Sequence, residues 1–412
     1  MRIPEFLNRD DYLQNPILRR FLKDHRISFV ENRADYIREI EAYSERDERS
    51  AAEVRDWLLH VIKEGSKEIC YKKVRSINEW HRDPVLLEAK IQELYPDCPR
   101  ETILTYTNTA ECKLIDYTLI TNEENMITKI ELTFSKLFLY GESGKLGNAT
   151  VFPVFIEVYL DSGFIVSRAK AKSTLYEYSD TNEFLTNEYR VDTMRYAMSI
   201  VDQVCALLGF ETAADPRAAK SEIERALYGI YNKYSFTPEN VANQVGTQEV
   251  TINEFVNQVF ENLQLDPRNK EAAILDARIL VEKFISINGN NERLFKEDRP
   301  AYLIKVSTDD ELDQTKIDTT SNKLIPLQCT EAFFDGKKTV VKSRQCKRLD
   351  LIFKRNNETY FSSNPLVVQL GTYKGHGYIK TMQYAEEADI QNVLRAIFEN
   401  YKFTESGICR AI

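Results

Sequence analysis

Glycine is scarce, 14 residues in 412, and proline (12), methionine (5), histidine (4) and tryptophan (2) are scarcer still. So few glycines exclude collagen-like and linker-like chains and leave little material for glycine-rich loops. No uninterrupted apolar stretch approaches the ~18–20 residues of a membrane span, so no membrane partner is expected. The first residues, Met1 to Phe6, run straight into charged residues and lack the apolar core of a signal peptide. The seven cysteines (Cys70, Cys98, Cys112, Cys205, Cys329, Cys346 and Cys409) contain no C-x-x-C pair, and His25, His60, His81 and His376 lie far apart. Local spacing therefore writes no metal site and no cofactor site, and reduced thiols in a cytoplasmic protein are the expectation. The last four residues, Cys409-Arg410-Ala411-Ile412, imitate a prenylation box but place Arg410 where an aliphatic residue is wanted.

What is present is the composition of a globular protein: 43% hydrophobic, 29% charged, with 22 Tyr and 21 Phe to build cores. The 55 Lys and Arg against 64 Asp and Glu leave a net charge of −9, which argues against bulk nucleic-acid binding and confines any such contact to a local patch. At ~100–200 residues per domain the length suggests two to four domains.

Residues 1–95 read as a helical module. Asn15-Pro16 opens a helix to about Lys23, and Asn32 with Asp35 opens a second to about Ser44. Ser50 with Glu53 predicts a capping box for a third, closed by Gly65, whose buried face carries Val54, Trp57, Leu58, Val61 and Ile62. Asp83-Pro84 opens a fourth. Residues 96–180 change period: Ile130, Leu132 and Phe134 alternate with polar residues, and Asp161-Ser162-Gly163 predicts a hairpin turn within an antiparallel sheet unit. Residues 181–298 read as an irregular helical bundle, with starts at Asp215-Pro216, Thr237-Pro238 and Asp266-Pro267 and a capping box at Thr251 and Glu254. In 299–412 a polar stretch from Thr308 to Lys323 predicts a mobile loop. Short strands follow at 338–342, 348–354, 358–361, 366–370 and 378–382, then a helix over about 385–401. The order implies an α+β fold, ending in a small β-sheet with a C-terminal helix.

Ile17, Leu18, Phe21 and Leu22, the turn His25-Arg26-Ile27, and the run Asn32-Arg33-Ala34-Asp35-Tyr36-Ile37 with Ile40 and Tyr43 give residues 15–44 a pattern of two short helices. This segment resembles the SAP-type helix-extension-helix motif, a small DNA-binding unit. Asn32 stands where that motif carries glycine, and Tyr36 where it carries leucine. The resemblance implies phosphate contact at the N-terminus of the second helix, where free N–H groups and the helix dipole favour an anion. Arg33 would reinforce that site, and Arg19, Arg20 and Lys23 would add charge. Residues 1–46 nevertheless balance nine Lys and Arg with nine Asp and Glu.

The sharpest compositional departure lies later. Lys337, Lys338, Lys342, Arg344, Lys347, Arg348, Lys354 and Arg355 put eight cations in 19 positions, opposed only by Asp350. On strands such cations would share a face and draw phosphates, with affinity strongly dependent on salt. The expected partner is nucleic acid, DNA in preference to RNA. The sites are Arg19, Arg20, Lys23, Arg33, Lys337, Lys338, Lys342, Arg344, Lys347 and Arg348. One alternative is a non-catalytic assembly or interaction subunit, with a protein partner or homo-oligomer. A further one is a metal-dependent nuclease of a defence or mobile-element system, on the spacing Asp97, Glu111, Lys113. Gly141-Glu142-Ser143-Gly144-Lys145-Leu146 is too short for a phosphate loop and reads as a turn. No catalytic residue is assigned.

Overall fold

A computed structural model describes the chain except residues 10–11, 146, 179–186, 214, 289–291, 298, 311–314, 321–323, 357–358, 360 and 406–412. It divides into two compact, discontinuous units. The first comprises Met1–Lys220, Arg355–Leu366 and Tyr373–Asn392; the second comprises Ser221–Lys354, Val367–Thr372 and Val393–Ile412. Segments 1–95 and 96–180 therefore share one unit, while 181–298 and 299–412 each contribute to both. Helices and antiparallel strands together make an α+β fold.

The first unit begins with α1 (Glu5–Arg9), α2 (Asn15–Asp24), α3 (Arg33–Ser44) and α4 (Glu48–Val61), and adds α5 (Pro84–Leu94) and α6 (Thr193–Leu207). Proline lies in the first turn of α2, but Gln14 rather than Asn15 is the N-cap. Asn32 caps α3 by accepting from the Asp35 N–H. The box at Ser50 and Glu53 is displaced: Asp47 caps α4 by accepting from the Ser50 N–H, so the helix starts earlier. Asp83 caps α5 from both Val85 and Leu86 N–H groups.

Its sheet contains β1 (Lys67–Lys73), β2 (Lys113–Thr121), β3 (Ile127–Tyr140), β4 (Asn148–Tyr159), β5 (Phe164–Lys170), β6 (Leu175–Glu177) and β7 (Arg190–Val191). The strand His376–Thr381 pairs with β1, whose other edge pairs with β5; β4 bridges β5 to β3, and β2 and β6 pair along β3. Every pairing is antiparallel. β1 corrects the helical reading of residues 1–95: strand pairing on both sides overrides three lysines in seven residues.

β4 is buried on both faces because helices cover both. Val154, Ile156 and Val158 pack with Leu87 and Ile91 of α5 and Val201 and Val204 of α6. Phe155 points the other way, into the core of α1–α4 with Leu18, Tyr36, Ile40 and Leu58.

The second unit holds α7 (Pro216–Ser235) from Ser221 on, α8 (Glu239–Thr247), α9 (Glu249–Asn262), α10 (Lys270–Asn288), α11 (Glu292–Lys296), β8 (Ala301–Asp310), β9 (Thr315–Thr320), α12 (Glu331–Ser343), β10 (Arg348–Phe353) and β11 (Leu366–Tyr373) save its two end residues. Three expectations are corrected here. Residues 338–342 belong to α12, not to a strand, because Phe333, Phe334 and Val340 bury a helical face. Thr251 and Glu254 lie inside α9 and cap nothing. The segment read as a mobile loop pairs β9 with β8, from Lys305 opposite Thr320 to Asp310 opposite Thr315. Of the strand expected at 358–361, positions 358 and 360 lie outside the described residues, while Thr359 and Phe361 lie in turns closed by the Ser362 and Asn364 N–H groups, which donate to their carbonyls.

Candidate functional site

Of the ten cations selected from sequence, Arg19, Arg20, Lys23 and Arg33 belong to the first unit and the other six to the second. Most are occupied. Arg19 lies 3.6 Å from Glu31 with its guanidinium over the Tyr36 ring. Arg20 pairs with Glu386 at 2.8 Å and Asp24 at 3.5 Å. Arg33 donates to Asn8 and Asn15, tying α3 back to α1 and α2. Lys337 bonds Glu282 at 2.7 Å, Lys338 bonds Asp276 at 2.8 Å, and Arg348 bonds Asp350 at 2.8 Å. Lys342 and Arg344 sit at the end of α12, Arg344 in a left-handed conformation, and the Lys347 N–H donates to Ser307. Lys23 and Arg344 are exposed. The α3 N-terminus, where a phosphate was expected, already holds the Asp35 carboxylate, which accepts from the Val30 N–H and pairs with Arg38.

Beneath the helices of the first unit runs a buried ion network. Arg168 on β5 is wholly buried and bonds Glu157 of β4 at 2.6 Å and both carboxylate oxygens of Glu387. Lys129 bonds Glu157 at 2.8 Å and Glu131 at 2.6 Å, and Lys63 bonds Glu131 at 2.8 Å. Burial alone would raise the Glu387 carboxyl, but the hydrogen bonds and charge of Arg168 outweigh it and hold the pKa at about 2. Asp389 bonds Arg355 at 2.9 Å, and its burial still pushes the carboxyl up. Lys67 is fully buried, so desolvation and the charges of Lys170 and Arg168 push its amine well down. It donates to the Ile62 carbonyl at the end of α4, with Tyr12 beside it.

Above this network, α2 and α4 enclose a groove of about 490 Å³. α2 contributes Ile17, Arg20, Phe21, Asp24 and His25, and α4 with its following turn contributes Glu53, Asp56, Trp57, His60, Val61 and Glu64. Both sets follow helical spacing of three and four, so each is one stripe. The Phe21 ring stacks on His25 (centroids 4.0 Å apart) and tilts against Trp57 (4.5 Å). At the floor, Glu64 accepts from the Tyr384 hydroxyl (3.0 Å), the Glu387 N–H (2.9 Å) and His60 (3.1 Å). The bond to Glu64 raises the His60 pKa against the opposing effect of burial. Sequence reasoning assigned Trp57 to a buried face and passed over the groove; the polar stripe around it was the available signal.

In the second unit the anomaly is apolar. α10 carries Ile274, Leu275, Ile279, Leu280, Phe284 and Ile285 around its circumference, yet only Ser286 of the helix is fully buried. Leu280 and Phe284 are 54% and 52% exposed, and on the adjacent α9 Val250 and Phe255 are 69% and 61% exposed. Asp276, Arg278, Glu282 and Lys283 interleave with these apolar residues and close ion pairs, so the exposed apolar side chains are what the helix leaves without a partner surface.

Asp97, in the turn after α5, and Glu111, in the bend before β2, are both exposed. Among the described residues no cluster of His, Cys, Asp and Glu could hold a metal ion, and no helix is long and apolar enough to cross a membrane. No protein-family model, no curated protein and no solved structure matches the chain.

Proposed function

We propose that this protein is an assembly subunit that docks another protein through the exposed face of α9 and α10. The observation that carries the reading is the set of large apolar side chains that α9 and α10 leave in solvent, Val250, Phe255, Leu275, Leu280 and Phe284, on helices of which α10 has Ser286 as its one fully buried residue. Burying a Leu or Phe contributes about 1.5–3 kcal/mol, so half-exposed Leu275, Leu280 and Phe284 leave much of that stabilisation for a partner to complete. A photo-crosslinker at position 284 in native cells is expected to give a discrete protein adduct, with none from a crosslinker at the exposed polar position Glu271. Equal labelling at the two positions would overturn the reading.

Nucleic-acid binding is the second reading. It is favoured by Lys23, Arg26 and Arg344, which are exposed and have no ion-pair partner among the described residues; the SAP-like helices would then present Lys23 and Arg26 at their turn. Anisotropy titration of labelled DNA at two salt concentrations tests it. Steeply salt-dependent binding, lost in Lys23→Glu/Arg26→Glu, would support it.

A further inference from the structure

We propose that the groove between α2 and α4 is a docking site for an arginine-bearing segment of a protein partner. The proposal is independent of the α9–α10 reading, because no residue of that helix pair contributes to the groove.

The argument starts from charge. Asp24, Glu53, Asp56, Glu64 and Glu386 line the groove, against the guanidinium of Arg20 and the imidazoles of His25 and His60. The floor carboxylates are already served: Glu64 by three donors, and Glu386 by Arg20 and the Phe361 N–H. The rim is not equally served. Asp56 is 76% exposed, with only Arg55 at 4.0 Å. Glu53 is served by Tyr43, Arg49 and His25, the last at 3.7 Å, so Asp56 is the rim carboxylate with the least internal pairing. Trp57 follows Asp56 on α4, one turn beyond Glu53, its indole tilted against Phe21.

An indole beside carboxylates suits a guanidinium in two ways. The ring face attracts a cation and stacks on a planar one, and the carboxylates accept the forked N–H donors. The groove already shows the carboxylate half of this chemistry on its own Arg20, which pairs with Glu386 and Asp24. The volume falls within the ~300–1,000 Å³ of ligand pockets, room for a side chain and the backbone carrying it. A phosphate backbone would instead meet like charge, so nucleic acid is a poor occupant. A lysine ammonium would find the carboxylates but could not stack.

The test is an anisotropy titration of the full-length protein with a labelled peptide of alternating glycine and arginine. A glycine–lysine peptide and spermidine serve as competitors. Binding of the arginine peptide is expected, weakened about tenfold by Trp57→Leu and by Asp56→Asn with Glu53→Gln, with both competitors inferior. Asp56 and Asp24 are exposed, so Asp24→Asn/Asp56→Asn keeps the test open if Trp57→Leu fails to fold. In a Trp80→Phe background Trp57 is the sole tryptophan, and its emission should change on binding. Absent binding, or binding unchanged in every groove variant, would overturn the proposal. Spermidine competing as well as the arginine peptide would overturn the assignment to a protein segment.

Discussion

The sheet of the first unit and the α9–α10 pair of the second spend their side chains in opposite ways. In the first, charges go inside: Arg168 and Glu157 lie buried between strands with Lys129 half-buried beside them, and α1–α4 turn their apolar faces into one core, although Val85 and Leu86 of α5 stay exposed. In the second, charges close ion pairs at the surface, such as Lys338 with Asp276, while Leu280 and Phe284 stay in solvent. The lesson concerns what a charge run means. The cations of 337–348 looked like a free positive field, yet Lys337, Lys338 and Arg348 answer acids of their own unit. What remains unsatisfied in that unit is apolar surface. A surface keeps binding free energy only where its groups lack internal partners.

The strongest way to break the contrast is Arg168→Met. It leaves Glu157 and Glu387 without their shared guanidinium, and stripping one partner from a buried pair costs about 3–5 kcal/mol. The urea midpoint should fall accordingly. Adding Glu157→Gln should recover part of the loss, since the penalty comes from the stranded charge. A midpoint shifted no more than by a surface substitution would show the network to be dispensable.

Acid sharpens the same point. Glu387 is held at about 2 against an ordinary value near 4.5, so its contribution is fully present above the unfolded value and disappears as pH falls through that window toward 2. The shift corresponds to roughly 3 kcal/mol. Urea midpoints measured between pH 5 and 2 should drop, and Glu387→Gln should flatten that drop while lowering the plateau. A smaller effect is expected at Lys337, which is partly exposed in its pair with Glu282. Lys337→Met should cost about 1 kcal/mol by urea denaturation, well short of the Arg168 variant.

How far such features were legible in the sequence depends on how local their cause is. Asp83 and Asn32 announced their helices because a cap acts within three residues. Residues 338–342 misread as strand because Thr339, Val340 and Val341 are β-branched, while the packing of Phe333 and Phe334 that makes them helical lies a turn or more away. β1 was invisible because nothing nearby says that Lys67 is buried. Of the groove, the two stripes on α2 and α4 were readable by spacing. Glu386, 366 residues from the Arg20 it binds, was not. The antiparallel hairpin around Gly163 was legible because the turn itself fixes the register.

A comparably small effect on stability per site is expected at the face that matters most for the proposed assembly. Leu280→Ser with Phe284→Ser removes side chains that are already half in solvent, so little burial is lost and no cavity opens. The urea midpoint should move by no more than about 1 kcal/mol per site, the part of side-chain burial that these half-exposed residues have within the free subunit. The same change should abolish the adduct formed by a crosslinker at the neighbouring exposed position Leu275. A large loss of stability would mean that the face is covered within the folded chain. An unchanged midpoint with an unchanged adduct would mean that the partner contacts other residues. Stability held and adduct lost is the pattern of a surface retained for a partner, because the free subunit gains nothing from keeping those side chains apolar.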